Sequence, residues 1–252
     1  KHFGHSVHPK SFGAINEVFR EVEAGSCEYG VVPVENSTEG MVNHTLDSFM
    51  QSNLQICGEV EIRIHQCLLS QSDDLSSITK IYSHPQSLAQ CREWLDANLP
   101  NAQKINAASN AEAAKMAASD SGSAAVAGEA AAELYGVEIQ RRNIETNPDN
   151  TTRFLIIGRQ EAAPSGHDKT TLLVSTRNRP GSLHHLLSSL ADNQVSLTRI
   201  ESRPSRCVNW EYVFFLDLEG HVETQNIARA LKELSAKADM VRVLGSYPRA
   251  VL

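Results

Sequence analysis

Three polar segments of the 252-residue sequence combine side chains that can hold an anion or move a proton. They are residues 33–40 (PVENSTEG), 83–91 (SHPQSLAQC) and 150–154 (NTTRF). Each lies beside a short hydrophobic run of the kind that forms a strand. In open α/β sheets, ligands bind where strands end and helices begin. The three segments are therefore the candidates for a functional site.

The first segment offers a carboxylate, an amide and a hydroxyl in succession, on Glu35, Asn36 and Ser37. All three side chains can contact a polar substrate. Any of them can equally cap the helix that follows, because a side-chain oxygen at a helix start accepts a hydrogen bond from a free backbone N–H. Residue types alone do not distinguish a substrate-binding segment from a helix cap.

The second segment is typical of the start of a helix. Ser83 and Gln86 fit a capping box around Pro85, and Gln90 falls one turn later on the same face as Gln86. The free N–H groups at a helix start can hold a carboxylate without a lysine. His84 by itself is more often a packed or solvated histidine than a catalytic one.

The third segment places Thr152 and Arg153 directly before an apolar run that begins at Phe154. The forked donors of an arginine can clamp a carboxylate, and a neighbouring hydroxyl can assist a proton transfer. The commoner alternative in an arbitrary protein is a loop arginine in a surface ion pair. Taken alone, each of the three segments is a weak signal.

The overall composition excludes several classes of protein. The formal net charge is −7 and no basic run carries interleaved aromatic residues, so we expect no nucleic-acid partner. No stretch approaches ~18 consecutive apolar residues, so we expect no membrane span. The five cysteines form no Cys-x-x-Cys pair, which favours reduced thiols in the cytoplasm over disulfides or a zinc site. We expect no metal and no cofactor.

The elements that must position these residues fall on two sides of a polar, Pro- and Gly-containing stretch at 160–168. Before it, strand and helix patterns alternate, which predicts an α/β fold with largely parallel pairing. After it, a βαββαβ order predicts a ferredoxin-like domain with an independent core. Its predicted strands are 170–176, 195–202, 210–218 and 240–247, its helices are 182–192 and 223–236, and residues 203–206 are predicted to be a loop.

Together these segments resemble the signature motifs of prephenate dehydratases. Residues 32–40, 83–91 and 152–154 resemble the dehydratase motifs in order and separation. Residues 178–186 and 200–204 resemble the phenylalanine-binding motifs of the ACT domain fused to those enzymes. The resemblance covers essentially the whole chain, and it is closest to the C-terminal part of bifunctional chorismate mutase–prephenate dehydratases.

This resemblance implies an α/β fold in which a two-lobed dehydratase domain, similar to periplasmic binding proteins, precedes a ferredoxin-like ACT domain. The implied boundaries are 1–160 for the dehydratase domain (lobe one 1–67 plus 150–160, lobe two 70–145), 161–168 for the linker and 169–252 for the ACT domain.

The resemblance also implies residue roles and partners. The expected catalytic residues are Thr152, Ser83, Gln90, Asn36 and Glu35, and the expected substrate contacts are Arg153, Ser37, Gln86 and Phe154. The expected L-phenylalanine site comprises Asn178, Pro180, Gly181, Ser182, Leu183, Glu201, Ser202, Arg203 and Pro204. The implied partners are prephenate, L-phenylalanine as an allosteric inhibitor, and further copies of the chain in a homodimer or homotetramer formed through ACT domains.

Two further hypotheses remain beside the dehydratase. Family members carry a strand and a Gly-Pro-x-Gly-Thr-type segment before the first helix, whereas this sequence opens at Lys1-His-Phe-Gly4. We therefore expect that strand to be missing, which leaves open an impaired fragment that only binds an amino acid. The third hypothesis is arogenate as the substrate, which has an amine in place of the keto group of prephenate.

Overall fold

The computed structural model describes residues 3–4, 7–38, 40–205 and 212–250. Its contacts divide the chain into two compact units, one formed by Lys1–Ile62 with Thr152–Leu252 and the other by Arg63–Thr151. No helix among the described residues is long and apolar enough to cross a membrane.

The described elements follow the alternating order predicted from the sequence. The helices are α1 (Ile15–Glu23), α2 (Asn43–Gln51), α3 (Pro85–Gln90), α4 (Arg92–Asn98), α5 (Asn110–Ala118), α6 (Glu129–Tyr135), α7 (Ser182–Asp192) and α8 (Gln225–Lys237). The strands are β1 (Tyr29–Asn36), β2 (Gly40–Met41), β3 (Gln55–Arg63), β4 (Cys67–Ser70), β5 (Lys80–Ser83), β6 (Gln103–Asn106), β7 (Ser123–Ala127), β8 (Glu138–Arg141), β9 (Thr151–Gly158), β10 (Asp168–Ser175), β11 (Leu197–Pro204), β12 (Tyr212–Glu219) and β13 (Met240–Pro248).

The first sheet brings together strands that lie far apart in the sequence. Its order is β2-β1-β9-β3, and β1 pairs with β9 antiparallel. The register sets Asn36 opposite Thr152 and Glu35 opposite Arg153 after a bulge that begins at Pro33. Two of the three polar segments therefore become cross-strand neighbours.

The second sheet, in the unit 63–151, has the order β6-β5-β7-β4-β8. Strand β5 pairs in parallel with β6 and β7, whereas β4 pairs antiparallel with β7 and β8. The prediction of largely parallel pairing is therefore wrong: pairing is mixed here, and β1 is antiparallel to both described partners in the first sheet. Alternation along the sequence indicates layers, but strand direction depends on how distant segments return to the sheet.

The third sheet has the order β11-β12-β10-β13, and helices α7 and α8 connect its strands. This βαββαβ arrangement confirms the ferredoxin-like prediction. Arg203 and Pro204 belong to β11, so their placement in a loop was wrong. Ser205 follows the end of this strand, and Arg206, the last residue of the predicted loop, lies outside the described residues.

This third sheet is buried on both faces. Leu172, Leu216 and Leu218 pack against α7 and α8, whereas Leu173 and Phe215 join a core shared with residues of α1, α2 and β1. The prediction of an independent core is therefore wrong for the second face. The alternation of apolar side chains along a strand shows that both faces are apolar, but not which elements cover them.

Gly245 marks the closest approach of β13 to β3. A Cβ built at Gly245 would lie 2.9 Å from the backbone nitrogen of Ile56 and even nearer its carbonyl oxygen. Backbone atoms in a strand cannot swing aside as a flexible side chain does. The absence of a side chain at residue 245 is therefore a packing requirement.

We expect Gly245→Ala to lower the free energy of unfolding by about 1–3 kcal/mol, because the added methyl must push two strands apart. Denaturant unfolding monitored by circular dichroism measures this change. Gly13→Ala is the matched control, since its Cβ would meet only a carboxylate oxygen of Glu17 at 3.9 Å. Equal stability of the two variants would contradict the packing requirement.

Candidate active site

Asn36 and Thr152 form the central polar pair of the first unit. Nδ2 of Asn36 donates a hydrogen bond to Oγ1 of Thr152 at 2.8 Å, and Oδ1 of Asn36 accepts one from the backbone N–H of Thr38 at 2.9 Å. The amide is thus oriented from both ends. Because the threonine oxygen accepts from Asn36, its own proton remains free to be donated elsewhere.

Arg153 is buried, and three carboxylates surround its guanidinium. Nη2 donates to Oδ2 of Asp217 at 2.7 Å, Nε lies 3.2 Å from Oε2 of Glu59, and Nη1 lies 3.5 Å from Oε2 of Glu35. The Nε–H is close to Glu59 without being aligned to donate a hydrogen bond. The alternative of a surface ion pair is therefore wrong, because the ion pairs of Arg153 are buried.

Two further cations complete this buried cluster. Arg199 donates to both carboxylate oxygens of Asp217, at 2.9 and 3.2 Å, and Lys169 contacts both oxygens of Glu59, at 2.8 and 2.9 Å. Three carboxylates therefore face three cations. Burial of ions is costly unless each is paired and hydrogen-bonded. Every ion of this cluster is paired with an opposite charge, although Nε of Arg153 has no aligned hydrogen-bond partner.

The electrostatic consequence is clearest at Asp217. Burial acts to raise the pKa of this carboxyl, but the charges of Arg199 and Arg153 and their hydrogen bonds outweigh it and lower the pKa to about 2. Burial likewise acts to lower the pKa of Arg153, and the charges of Asp217 and Glu59 contribute to raising it instead. Both groups are therefore ionised at neutral pH.

Ser83, in the second unit, is fully buried at the end of β5. Its hydroxyl lies 2.6 Å from the carbonyl oxygen of Val126 and 3.0 Å from Oδ1 of Asn110. The predicted capping box is wrong, because the N-cap of α3 is His84, whose Nδ1 accepts from the backbone N–H of Gln86. A serine that ends a buried strand faces the interior and cannot reach the helix start.

Gln90 belongs to a polar network that the sequence did not reveal. Nε2 of Gln66 lies 3.4 Å from Oε1 of Gln90 and 3.3 Å from Oγ of Ser87, and Nδ2 of Asn110 donates to the same Ser87 hydroxyl at 2.8 Å. Glu145 accepts from the backbone N–H of Gln66 at 2.9 Å. These partners have no recognisable motif, because glutamine and asparagine are common at solvated positions.

The predicted regulatory residues occupy two different elements of the third sheet. Residues 178–181 form an exposed loop, and Gly181, with φ of +82°, precedes the first residue of α7. Residues 201–204 lie on the edge strand β11. Among the described residues no recorded hydrogen bond joins the two segments.

Arg203 has partners outside its own sheet. Its Nη1 donates to Oδ1 of Asn43 at 2.7 Å and its Nη2 to Oδ1 of Asp47 at 2.7 Å, both on α2. Helix α2 follows the segment that carries Glu35 and Asn36. Arg203, which is predicted to belong to a regulatory site, is thus ion-paired with α2, the helix that follows the candidate catalytic segment.

Comparisons with known proteins agree with these observations. The family model described as prephenate dehydratase matches residues 1–162, and that of the ACT domain matches residues 170–236. The bifunctional chorismate mutase/prephenate dehydratase of Stutzerimonas stutzeri is 56% identical over 253 residues, covering 100% of this chain and 69% of that protein. The protein of the same name from Pseudomonas aeruginosa is 54% identical with the same coverage.

Solved structures show the same relationship. Prephenate dehydratase of Arthrobacter aurescens, crystallised in complex with L-Phe, has a TM-score of 0.86 and 35% identity over 95% of this chain and 80% of that one. GqqA, described as a novel type of quorum quenching acylase, has a TM-score of 0.86 and 34% identity over 95% of this chain and 88% of that one. Family models match both parts of the chain, and the relatives named above agree with them. The chain therefore belongs to the prephenate dehydratase family, with an ACT domain in its C-terminal part.

Proposed function

We propose that this chain converts prephenate to phenylpyruvate, carbon dioxide and water, and that L-phenylalanine inhibits it through the ACT domain. The observation that carries the proposal is the Asn36–Thr152 hydrogen bond, which leaves a threonine proton free to assist a departing hydroxyl. The reaction belongs to the synthesis of phenylalanine, and we expect it in the cytoplasm.

The chemistry suits a site built from neutral hydrogen-bonding groups. In prephenate the bond from the ring to its hydroxyl breaks, the ring-to-carboxylate bond breaks, and the electron pair released with carbon dioxide completes an aromatic ring. The leaving hydroxide takes up one proton to become water. Aromatisation supplies the driving force, so the enzyme mainly orients the dianion, a contribution of up to ~7–11 kcal/mol.

Thr152 serves best as a hydrogen-bond donor to the departing hydroxyl. A threonine hydroxyl is a poor acid, and a positioned proton donor contributes about 10²–10⁴ in rate. Asn36 fixes the rotation of Thr152 by donating to its oxygen. Ser83 and Gln90 of the second unit belong to the proposed catalytic set. Because Ser83 is fully buried, we propose that it acts through the hydrogen-bond network that leads to Gln90 and not by contacting the substrate.

The proposed substrate contacts are Ser37, Gln86, Phe154 and Arg153. Arg153 can bind a substrate carboxylate only by exchanging one of its present partners. Glu35 is the partner most easily exchanged, because its contact of 3.5 Å is the longest and 39% of its side chain is exposed. The substrate carboxylate would then take the place of the Glu35 carboxylate on Nη1.

An acylase would need a different site. Acyl transfer uses a nucleophile that is activated by a base within hydrogen-bond distance. Among the described residues, Thr152 has its recorded side-chain hydrogen bond with Asn36, and Ser83 bonds to Asn110 and a backbone carbonyl, with no histidine on either. The geometry of these two hydroxyls therefore favours the dehydratase.

The remaining alternative is arogenate as the substrate, which has an amine in place of the keto group of prephenate. Turnover of the two compounds measured side by side distinguishes them.

Regulation is proposed for the loop 178–181 with the first two residues of α7, Ser182 and Leu183, and for the strand segment 201–204. Phenylalanine needs an apolar slot for its ring and N–H and carbonyl partners for its charged ends, and the turn before α7 supplies such backbone groups. The edge strand β11 has one unpaired side in the described chain, which suits pairing with a second copy in a homodimer or homotetramer.

We expect Thr152→Val to lower kcat by about 10² or more, because the shape is kept and the donated hydrogen bond is lost. The assay is phenylpyruvate formation, followed by absorbance of its enolate after prephenate is added. Thr151→Val is the matched control, since the Thr151 hydroxyl contacts the backbone oxygen of Asp149 instead. A kcat for Thr152→Val close to that of the control would remove Thr152 from the mechanism.

We expect L-phenylalanine to raise the melting temperature and to lower the turnover of the unmodified chain, because a ligand that binds only the folded state stabilises it. D-Phenylalanine is the control and should shift the melting temperature far less. Titration calorimetry gives the affinity for both enantiomers. No heat and no shift with millimolar L-phenylalanine would contradict the regulatory proposal while leaving the dehydratase proposal intact.

A further inference from the structure

Asp217 is an ionised side chain between two leucines on β12 of the ACT domain. It is fully buried, and its neighbours Leu216 and Leu218 are buried as well. Val213, Phe215 and Asp217 alternate along β12, so they share the face that packs against the core of α1, α2 and β1. Placing a charge there is costly, which raises the question of what it does.

The carboxylate of Asp217 is held rigidly by its own sheet. Its cross-strand neighbours are Thr171 on β10 and Arg199 on β11. Oδ1 accepts from the Thr171 hydroxyl at 2.8 Å, and Arg199 donates to both oxygens. A carboxylate fixed from two sides can hold a third partner in a defined position.

That third partner is Arg153, which directly follows Thr152 on β9. The contact from Arg153 Nη2 to Asp217 Oδ2 measures 2.7 Å, the shortest of the ion pairs that Arg153 makes. Arg153 and Thr152 are consecutive on β9 and point to opposite faces of the strand, so one peptide unit joins them. We expect part of any displacement of the anchored guanidinium to reach this peptide unit and so the threonine.

Glu35 provides a second route to the same hydroxyl. It contacts Arg153 from β1, and its neighbour Asn36 donates to Thr152. This second route exists before the substrate binds; once the substrate carboxylate has replaced Glu35 on Nη1, the backbone link from Arg153 to Thr152 remains. Positioning of this precision matters, because a displacement of about 1 Å at a reacting group can cost ~10² in rate.

We infer that Asp217 is a positioning residue for the dehydratase reaction, supplied by the ACT domain and acting through Arg153 on the Asn36–Thr152 pair. The inference rests on the proposed function. A merely structural role is the alternative, and buried ion pairs are weak evidence for stability because apolar residues of similar volume often serve as well. The two roles differ in what they do to kcat of the folded enzyme.

The principal test is Asp217→Asn in the full chain, assayed with prephenate well below the melting temperature of the variant. Asparagine keeps the shape and loses the charge. We expect kcat per folded molecule to fall about tenfold or more, with a smaller change in KM, because transition-state geometry suffers more than ground-state binding. The matched control is Glu219→Gln on the same strand, whose exposed ion pair with Arg249 should leave kcat unchanged.

A double-mutant cycle tests whether the effect passes through Arg153. In an Arg153→Met background, Asp217→Asn should change kcat by less than about threefold, since the connecting residue is already gone. Fully additive losses would overturn the inference, as would a single Asp217→Asn variant with unchanged kcat and a lowered melting temperature.

A milder variant keeps the inference testable if Asp217→Asn does not fold. Thr171→Val removes one hydrogen bond from Asp217, and also the Thr171 partner of the buried Tyr247 hydroxyl, without removing a charge. We expect its kcat to fall about two- to fivefold, whereas an unchanged kcat in this variant would overturn the inference. Absence of turnover by the unmodified chain would instead contradict the proposed function, so the two failures are distinct.

Discussion

The guanidinium of Arg153 joins three parts of the chain that the sequence keeps far apart. It meets Glu35 on β1, Glu59 on β3 and Asp217 on β12, and it follows Thr152 directly on β9. Ions at this depth are tolerated only when each finds an opposite charge and hydrogen-bond partners. The first sheet and the ACT sheet must therefore keep their relative position for the charges of the cluster to remain paired.

This constraint explains why the ACT sheet is buried on both faces. A ferredoxin-like domain needs one face for its two helices, and here the other face continues into the core of α1, α2 and β1. Gly245 admits the backbone of Ile56 at that contact. Arg203 extends the same junction toward α2 through Asp47. The ACT domain and the candidate catalytic strand thus share packing as well as charge.

In the second unit, buried polar side chains are held by hydrogen bonds between hydroxyl and amide groups. Ser83 is a buried hydroxyl between Val126 and Asn110, and Gln66 links Ser87 with Gln90. Such networks specify side-chain positions, and each unsatisfied member is costly. One buried atom of this network, Oε1 of Gln66, has no hydrogen-bond partner among the described residues. Ser83 is connected to the start of α3 only through Asn110, whose Oδ1 also accepts from the backbone N–H of His84. This is a different physical role from capping, although the motif that contains it was recognised correctly.

The sequence by itself determined the family, the βαββαβ order and most helix and strand positions, because those depend on motifs, apolar periodicity and turn residues within short windows. It also identified Asn36 and Thr152, although their hydrogen bond required the β1–β9 register. Only the tertiary structure decided the strand directions, the burial of Arg153, and the contacts of Asp217, Glu59 and Asn110. The physical reason is that a buried ion or amide is defined by its partners, and here these lie between 18 and 118 residues away in the chain.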